Sequence, residues 1–191
     1  MKKRIFSFAL FLIAISYQVN AQEATSVGKY GNTLNLGVGI GGYSGYYGYL
    51  GHSLPIFNLN YEFDAAKNFT LAPFVSFYSY SREYYWGSNN HPYKYYGYYE
   101  TVIPIGLKGT FYFDDWVKAG SKWDFYFAGS LGFAIVNSRW DGDYYGDRDY
   151  YRHGNPLFLD VHLGTEYHFN SHIGAFLDLS SGVSTIGLAI H

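Results

Sequence analysis

The chain has 191 residues, no cysteine and a formal net charge of −2, and only 15% of its residues are charged. Without cysteine there is no disulfide framework, no thiolate metal site and no lipobox-type lipid anchor. Without a basic surplus there is no electrostatic footprint for nucleic acid. The aromatic and glycine content is heavy for this length, with 23 Tyr, 16 Phe and 23 Gly.

Residues 1–21 carry the marks of a secretory signal peptide. Lys2, Lys3 and Arg4 form a basic start, Ile5 to Ile15 is almost wholly apolar, and Val19-Asn20-Ala21 supplies an A-x-A-like cleavage site. The apolar run is too short for a stable membrane helix. Its removal leaves 10 Lys and Arg against 15 Asp and Glu, a net charge of −5. Residues 22–31 are then expected as a short periplasmic segment, and 32–191 as one domain.

From Asn32 onward the apolar residues recur with the period of strands, not helices. Eight segments are expected. The first, Thr33–Gly42, sets Leu34, Leu36, Val38 and Ile40 against Asn35, Gly37, Gly39 and Gly41. Gly37, Gly39 and Gly42 also match G-x-G-x-x-G, but the nucleotide fingerprint needs a helix opening on its last glycine. The stretch that follows, "YSGYYGYLG", is too rich in Gly and Tyr for one. The inward glycines are expected to leave room for larger residues of neighbouring strands.

The second segment, Ile56–Phe63, places Phe57, Leu59, Tyr61 and Phe63 opposite Asn58, Asn60 and Glu62. The third is Phe69–Tyr80. The fourth, Tyr99–Phe113, sets Ile103, Ile105, Leu107 and Phe111 against Glu100, Pro104, Gly106, Lys108 and Thr110. The fifth, Trp123–Val136, faces Phe125, Phe127, Leu131, Phe133 and Ile135 away from Asp124, Tyr126, Ala128 and Ser130. The sixth, Leu157–Phe169, has Leu157, Leu159, Val161 and Leu163 on one face and Asp160, His162, Glu166 and His168 on the other. The seventh is Ile173–Ser180, with Asp178 on its polar side, and the eighth is Ser184–His191.

A sandwich of these strands would bury charges in its core. A closed barrel instead puts the polar faces inside and the apolar faces against lipid, and a membrane demands closure because open edges leave backbone groups unpaired. The connections agree: 43–55, 81–98 and 137–156 are long, while 64–68, 114–122 and 170–172 are short. That alternation is the pattern of outer-membrane barrels, whose smallest even strand number is eight. The fold expected is therefore all-β: an eight-stranded antiparallel transmembrane barrel, monomeric, with periplasmic termini and long loops outside the bacterial outer membrane. Only the brief Ser181–Val183 connection departs from the pattern.

The signal ending in "VNAQ", the phrase "TVIPIGLKGTFYF" and the closing "STIGLAIH" resemble the outer-membrane β-barrel family of PorT-like and OmpX-like small barrels. The resemblance covers residues 32–191. It implies an architecture, contact with outer-membrane lipid and lipopolysaccharide, and insertion by the barrel-assembly machinery. It implies no activity and no cofactor. Such barrels usually end in an aromatic residue, whereas the last residue here is His191.

Three groups of residues carry chemistry. The stretch "SREYYWGSNNHPYKYYGYYE" offers Tyr84, Tyr85, Trp86, Tyr93, Tyr95 and Tyr96 as an extracellular surface for a glycan or protein partner, alongside a girdle or a projecting hairpin. Asp141, Asp143, Asp147 and Asp149 invite calcium, but Tyr145 and Arg152 stand where the EF-hand loop needs an oxygen ligand and a glutamate, so a solvated loop is expected. The inward-facing Glu62, Glu100, Lys108, Asp124, Asp160, His162, Glu166, His168 and Asp178 are expected to fill the lumen as a hydrogen-bonded plug, because buried charges need partners. Two-residue spacing makes a metal cluster on the sixth segment geometrically conceivable, but the plug accounts for these residues without one, and no metal site is expected.

The function expected is surface interaction, adhesion or envelope integrity. A narrow ion channel is one alternative. A lipid A acyl hydrolase is another, but its serine would need a base in hydrogen-bond reach. The tight pair Ser171-His172 falls in a periplasmic turn, and His52 with Ser53 or His91 with Ser88 lacks a matching acid.

Overall fold

The computed structural model describes residues 30–41, 53–147 and 157–191; the signal peptide expected at 1–21 and residues 42–52 and 148–156 lie outside the described residues. The strands are β1 (Thr33–Gly41), β2 (Ser53–Ala66), β3 (Phe69–Ser88), β4 (His91–Tyr112), β5 (Trp123–Trp140), β6 (Leu157–His168), β7 (Ile173–Ser180) and β8 (Val183–Ile190). Each pairs antiparallel with the next, and β1 pairs with β8 from Leu34↔Ile190 to Gly41↔Val183, which closes the barrel.

Period-two alternation decides which side chains meet lipid. Val38, Phe57, Leu107, Phe127, Leu159 and Ile186 all point outward and stay about half exposed. Asn35, Glu62, Lys108, Asp124, Asp160 and Asp178 are their inward counterparts and are buried. An apolar exterior around a polar interior is the arrangement of a transmembrane barrel. Gly37 behaves as its pattern requires: a Cβ there would lie 3.1 Å from the Phe176 ring, which fills the space the glycine leaves.

The upper edge of the apolar belt is sharp. Phe77, Ile103 and Ile135 face outward side by side; one register step further the outward residues are Ser79, Thr101 and Asn137. From Ile103 to Phe111 the β4 belt is roughly 26 Å along the strand, or roughly 20 Å of height at a tilt of ~40°, before side chains are added. At the opposite end an outward aromatic girdle forms, with Trp123 and Tyr167 at 4.8 Å between ring centroids and Phe113 and Phe127 at 4.7 Å. Such girdles sit at membrane–water interfaces.

The connection at 81–98, outside the expected strand bounds, is sheet, in keeping with the projecting hairpin expected there. β3 and β4 stay in register from Ser79↔Thr101 to Trp86↔Lys94, and Asn89-Asn90 forms a two-residue turn. The cause is composition, since Tyr and Trp favour pleated, half-covered surfaces and so continue a ladder past the membrane. β5 likewise runs past the expected Val136 to Trp140, pairing with β4 up to Tyr98. The connection at 114–122 contains a four-residue helix, α1 (Asp114–Val117), too short to show a period, and Lys118 ends it at a φ of 53°.

The belt sets a depth-dependent cost for charge. Leu107→Arg should destabilise the folded barrel by ~2–4 kcal/mol in lipid vesicles. Ser81→Arg, above the edge, should stay within about 0.5 kcal/mol of the parent. Equal costs, read from equilibrium unfolding in urea, would contradict this placement of the membrane.

Candidate functional site

The lumen has two tiers. In the tier toward the short turns, polar side chains complete one another. Lys108 donates to Asp178, His162 Nδ1 lies 2.7 Å from the same carboxylate, and the Tyr126 hydroxyl donates to it at 3.1 Å. Glu62 accepts from Asn35 (3.0 Å), Thr70 (2.7 Å) and Tyr112 (2.7 Å). Asp124 meets His168 at 2.6 Å, and Glu166 meets His191 at 2.8 Å. Above them Ile56, Tyr78, Tyr80, Val102, Phe158 and Val183 form an apolar seal. Asp160, bonded by Ser181 at 3.2 Å, stands at the junction of the tiers, and Glu100, bonded by Tyr98, is buried within the seal between Val102 and Tyr98.

The nine residues expected to face the lumen thus all do, divided among separate networks. The space left at their centre is about 30 Å³, room for about one water. Among the donors that hold this acidic interior, alternation places Asn35 and Tyr126 on the inward faces without pointing to their acceptors, and Thr70 and Tyr112 are ordinary strand residues by pattern. A hydroxyl or amide on the inward face beside a carboxylate is the signal that could have found them.

Ser130, His162 and Asp178 also stand in series, with Ser130 Oγ 2.9 Å from His162 Nε2 and His162 Nδ1 2.7 Å from Asp178. These are the spacings of a nucleophilic triad. Ser130 is 4% exposed, and the central space beside it is about 30 Å³. Asp178 is also already committed to Lys108 and Tyr126. The Ser171-His172 pair, bonded at 3.0 Å, lies exposed in the β6–β7 turn.

The aromatic surface divides by strand alternation. Tyr85, Tyr93 and Tyr95 are 55%, 65% and 66% exposed and cluster on one face, with Tyr85 5.0 Å from Tyr95 and 5.8 Å from Tyr93. Tyr84, Trp86 and Tyr96, expected on the same surface, turn to the other face, because a strand sends successive side chains to opposite sides. There they surround Tyr144, which is 2% exposed, at 6.3, 5.4 and 5.2 Å. Trp140 stacks on Tyr144 at 4.1 Å and 15°. Tyr144 was read only as part of an acidic loop, yet it is the centre of this cap.

Two aspartates of that loop are engaged by their side chains within the chain. Asp141 accepts from the Gly97 amide at 2.6 Å, and Asp143 binds Lys94; Asp149 lies outside the described residues. The hydrogen bond between the exposed Lys94 and Asp143 holds the lysine above its ordinary pKa and the carboxyl below its own.

No protein-family model and no curated protein matches the chain. Its fold is similar to solved structures of Ail, the attachment invasion locus protein of Yersinia pestis. One, in complex with the heparin analogue sucrose octasulfate, is 10% identical at a TM-score of 0.43, covering 83% of this chain and 94% of Ail. Another crystal structure is 9% identical at 0.40, covering 84% and 99%. The backbone structure of Ail in a phospholipid bilayer nanodisc is 11% identical at 0.38, covering 83% and 98%. At those identities and scores the similarity assigns this chain no ligand.

Two outcomes follow from the networks. Lys108→Met leaves Asp178 as a buried charge short of its cation and should cost ~3–5 kcal/mol in unfolding free energy. Adding Asp178→Asn should recover at least half of that, and a double variant no better than the single would refute the pairing. For Asp143, a lowered pKa means the tie is in force above the ordinary carboxylate value and is lost as pH falls through the lowered one. The raised Lys94 pKa keeps the tie until the pH climbs through that raised value. The Asp143 amide chemical shift should therefore hold from about pH 5 to pH 9 and move only below the ordinary carboxylate pKa of about 3.9.

Proposed function

We propose that the protein is a monomeric outer-membrane barrel that acts at the cell surface as an interaction module, without catalysis. The observation that carries this reading is the exposed triplet Tyr85, Tyr93 and Tyr95 on a hairpin that stands above the apolar belt. The hairpin is backed by the buried cap around Tyr144, so the triplet is presented on a rigid wall. Tyrosine offers broad contact area with a hydroxyl at low entropy cost, which suits a glycan or a protein partner. In this orientation the short turns and both termini face the periplasm, outer-membrane lipid and lipopolysaccharide surround the belt, and the barrel-assembly machinery inserts the chain. The finer kinship with PorT-like and OmpX-like barrels belongs to this reading.

The filled lumen supports an interaction role over transport. Residual space for about one water, beneath an apolar seal, favours a barrel without ionic current in planar bilayers. The same lack of room around Ser130 favours a non-enzymatic protein.

The test uses intact cells expressing the full chain. Tyr85→Ser, Tyr93→Ser and Tyr95→Ser together should reduce adherence to mucin-coated or collagen-coated surfaces at least fivefold, with barrel levels unchanged. Unchanged adherence would overturn the role of this face. Protease added to the same cells should cut within the hairpin or the 141–156 loop, and complete protection would overturn the orientation.

A further inference from the structure

We propose that Glu166, His168 and His191 form a binding site for a divalent metal ion of the zinc class at the short-turn mouth of the barrel. β6 supplies Glu166 and His168 two residues apart, hence on the same inward face, and His191 follows the end of β8. β7 lies between them, and it is bare at the crossing point: a Cβ on Gly174 would come within 2.2 Å of Glu166 Oε1. The glycine lets the carboxylate reach across toward His191, whose own amide donates to the His172 carbonyl at 2.9 Å and fixes the residue in place.

Proton counting shows why these three groups call for a cation. The Thr33 hydroxyl donates its single proton to the Tyr30 carbonyl at 3.1 Å. It therefore accepts from His191 Nδ1, 2.9 Å away, which in the neutral ring leaves Nε2 with a lone pair. That lone pair faces Glu166 Oε1 at 2.8 Å. His168 donates through Nε2 to Asp124 at 2.6 Å, so its Nδ1 is also a lone pair, 3.6 Å from the same oxygen. With both rings neutral and Glu166 ionised, all three atoms are acceptors; in the metal-free barrel a proton shared between Glu166 and His191 makes their hydrogen bond, and a metal ion takes that proton's place.

The donor set and its spacing fit zinc. Two imidazoles and one carboxylate make a frequent three-residue zinc set that keeps a fourth position open. With bonds of ~2.0–2.1 Å the edge of a tetrahedron is about 3.3 Å, and the two contacts to Glu166 Oε1 bracket that length. One ligand atom from each residue can be taken so that all lie within 4.8 Å of one another. Asp124 and Thr33 play the outer-shell part, orienting each ring through its other nitrogen, as carboxylate–histidine–zinc arrangements do. The surroundings are acidic: among the described residues seven carboxylates are buried against one lysine. The ion has a way in, because His168 and His191 line a surface cleft of about 370 Å³ with Gly31, Lys122 and Asn170.

This site does not depend on the adhesive reading, and its test is metal binding to the refolded full barrel in detergent micelles. Cobalt(II) should bind at one equivalent, give the visible absorption of a four- or five-coordinate nitrogen–oxygen site, and be displaced by zinc. His168→Ala and His191→Ala should each weaken binding at least tenfold. His172→Ala, next door in the β6–β7 turn, should bind as the parent does, and Thr33→Val should lose about 10–100-fold through the outer shell. Heat-modifiable gel mobility reports folding for each; if an alanine variant does not fold, His191→Gln takes its place and should show the same loss. Absence of stoichiometric binding, or parental affinity in a folded His168 or His191 variant, would overturn the site.

Discussion

The pairing of β1 with β8 is the constraint on which the rest depends. A membrane offers backbone amides and carbonyls no water, so a sheet can cross it only when its first and last strands satisfy each other. Eight unbroken residue pairs, Leu34↔Ile190 through Gly41↔Val183, do this. Closure at eight strands then fixes a lumen so narrow that it must be filled by side chains. Once the outer face is given to apolar residues, the inner face has to carry polarity, and every carboxylate placed there must find a donor.

The interior meets that demand mostly with neutral donors. Glu62 is held by an amide and two hydroxyls, and Asp178 takes its lysine with a histidine and a tyrosine beside it. These donors lie on several strands at once, so the Glu62 network ties β1 to β2, β3 and β4, and the Asp178 network ties β4 to β5, β6 and β7. The outer face, by contrast, would accept many registers, since any leucine meets lipid equally well. Register is therefore set from inside, by groups that pair in one alignment only.

How far the fold was legible follows from the same division. Alternation such as Leu157, Leu159, Val161 and Leu163 against Asp160, His162 and Glu166 declares a two-faced strand without any tertiary knowledge. The extension of β3 and β4 was hidden because its residues are aromatic or polar apart from Gly87, Pro92 and Gly97, so no contrast marked the two faces. Side-chain alternation beyond the membrane divides tyrosine from tyrosine, as with exposed Tyr95 and buried Tyr96. The lumen residues were legible as inward-facing, but which of them meet was not. His191 and Glu166 are 25 residues apart, and only closure brings the eighth strand near the sixth.

The unequal height of the wall has a consequence for the molecule's neighbours. On one side β3, β4 and β5 rise beyond the belt, and their outer surface there carries Ser79, Thr101, Asn137 and Arg139, with the Arg139 guanidinium 4.9 Å over the Tyr99 ring. On the other side the wall between β7 and β8 stops at Ser181-Gly182. The barrel thus has a front and a back in the plane of the membrane. Lipid head groups beside the tall wall meet hydroxyls, an amide and a guanidinium, whereas those beside the low edge can lean over the rim. A molecule that meets the tall wall therefore meets different chemistry from one that meets the low edge, and contacts in the membrane plane acquire direction.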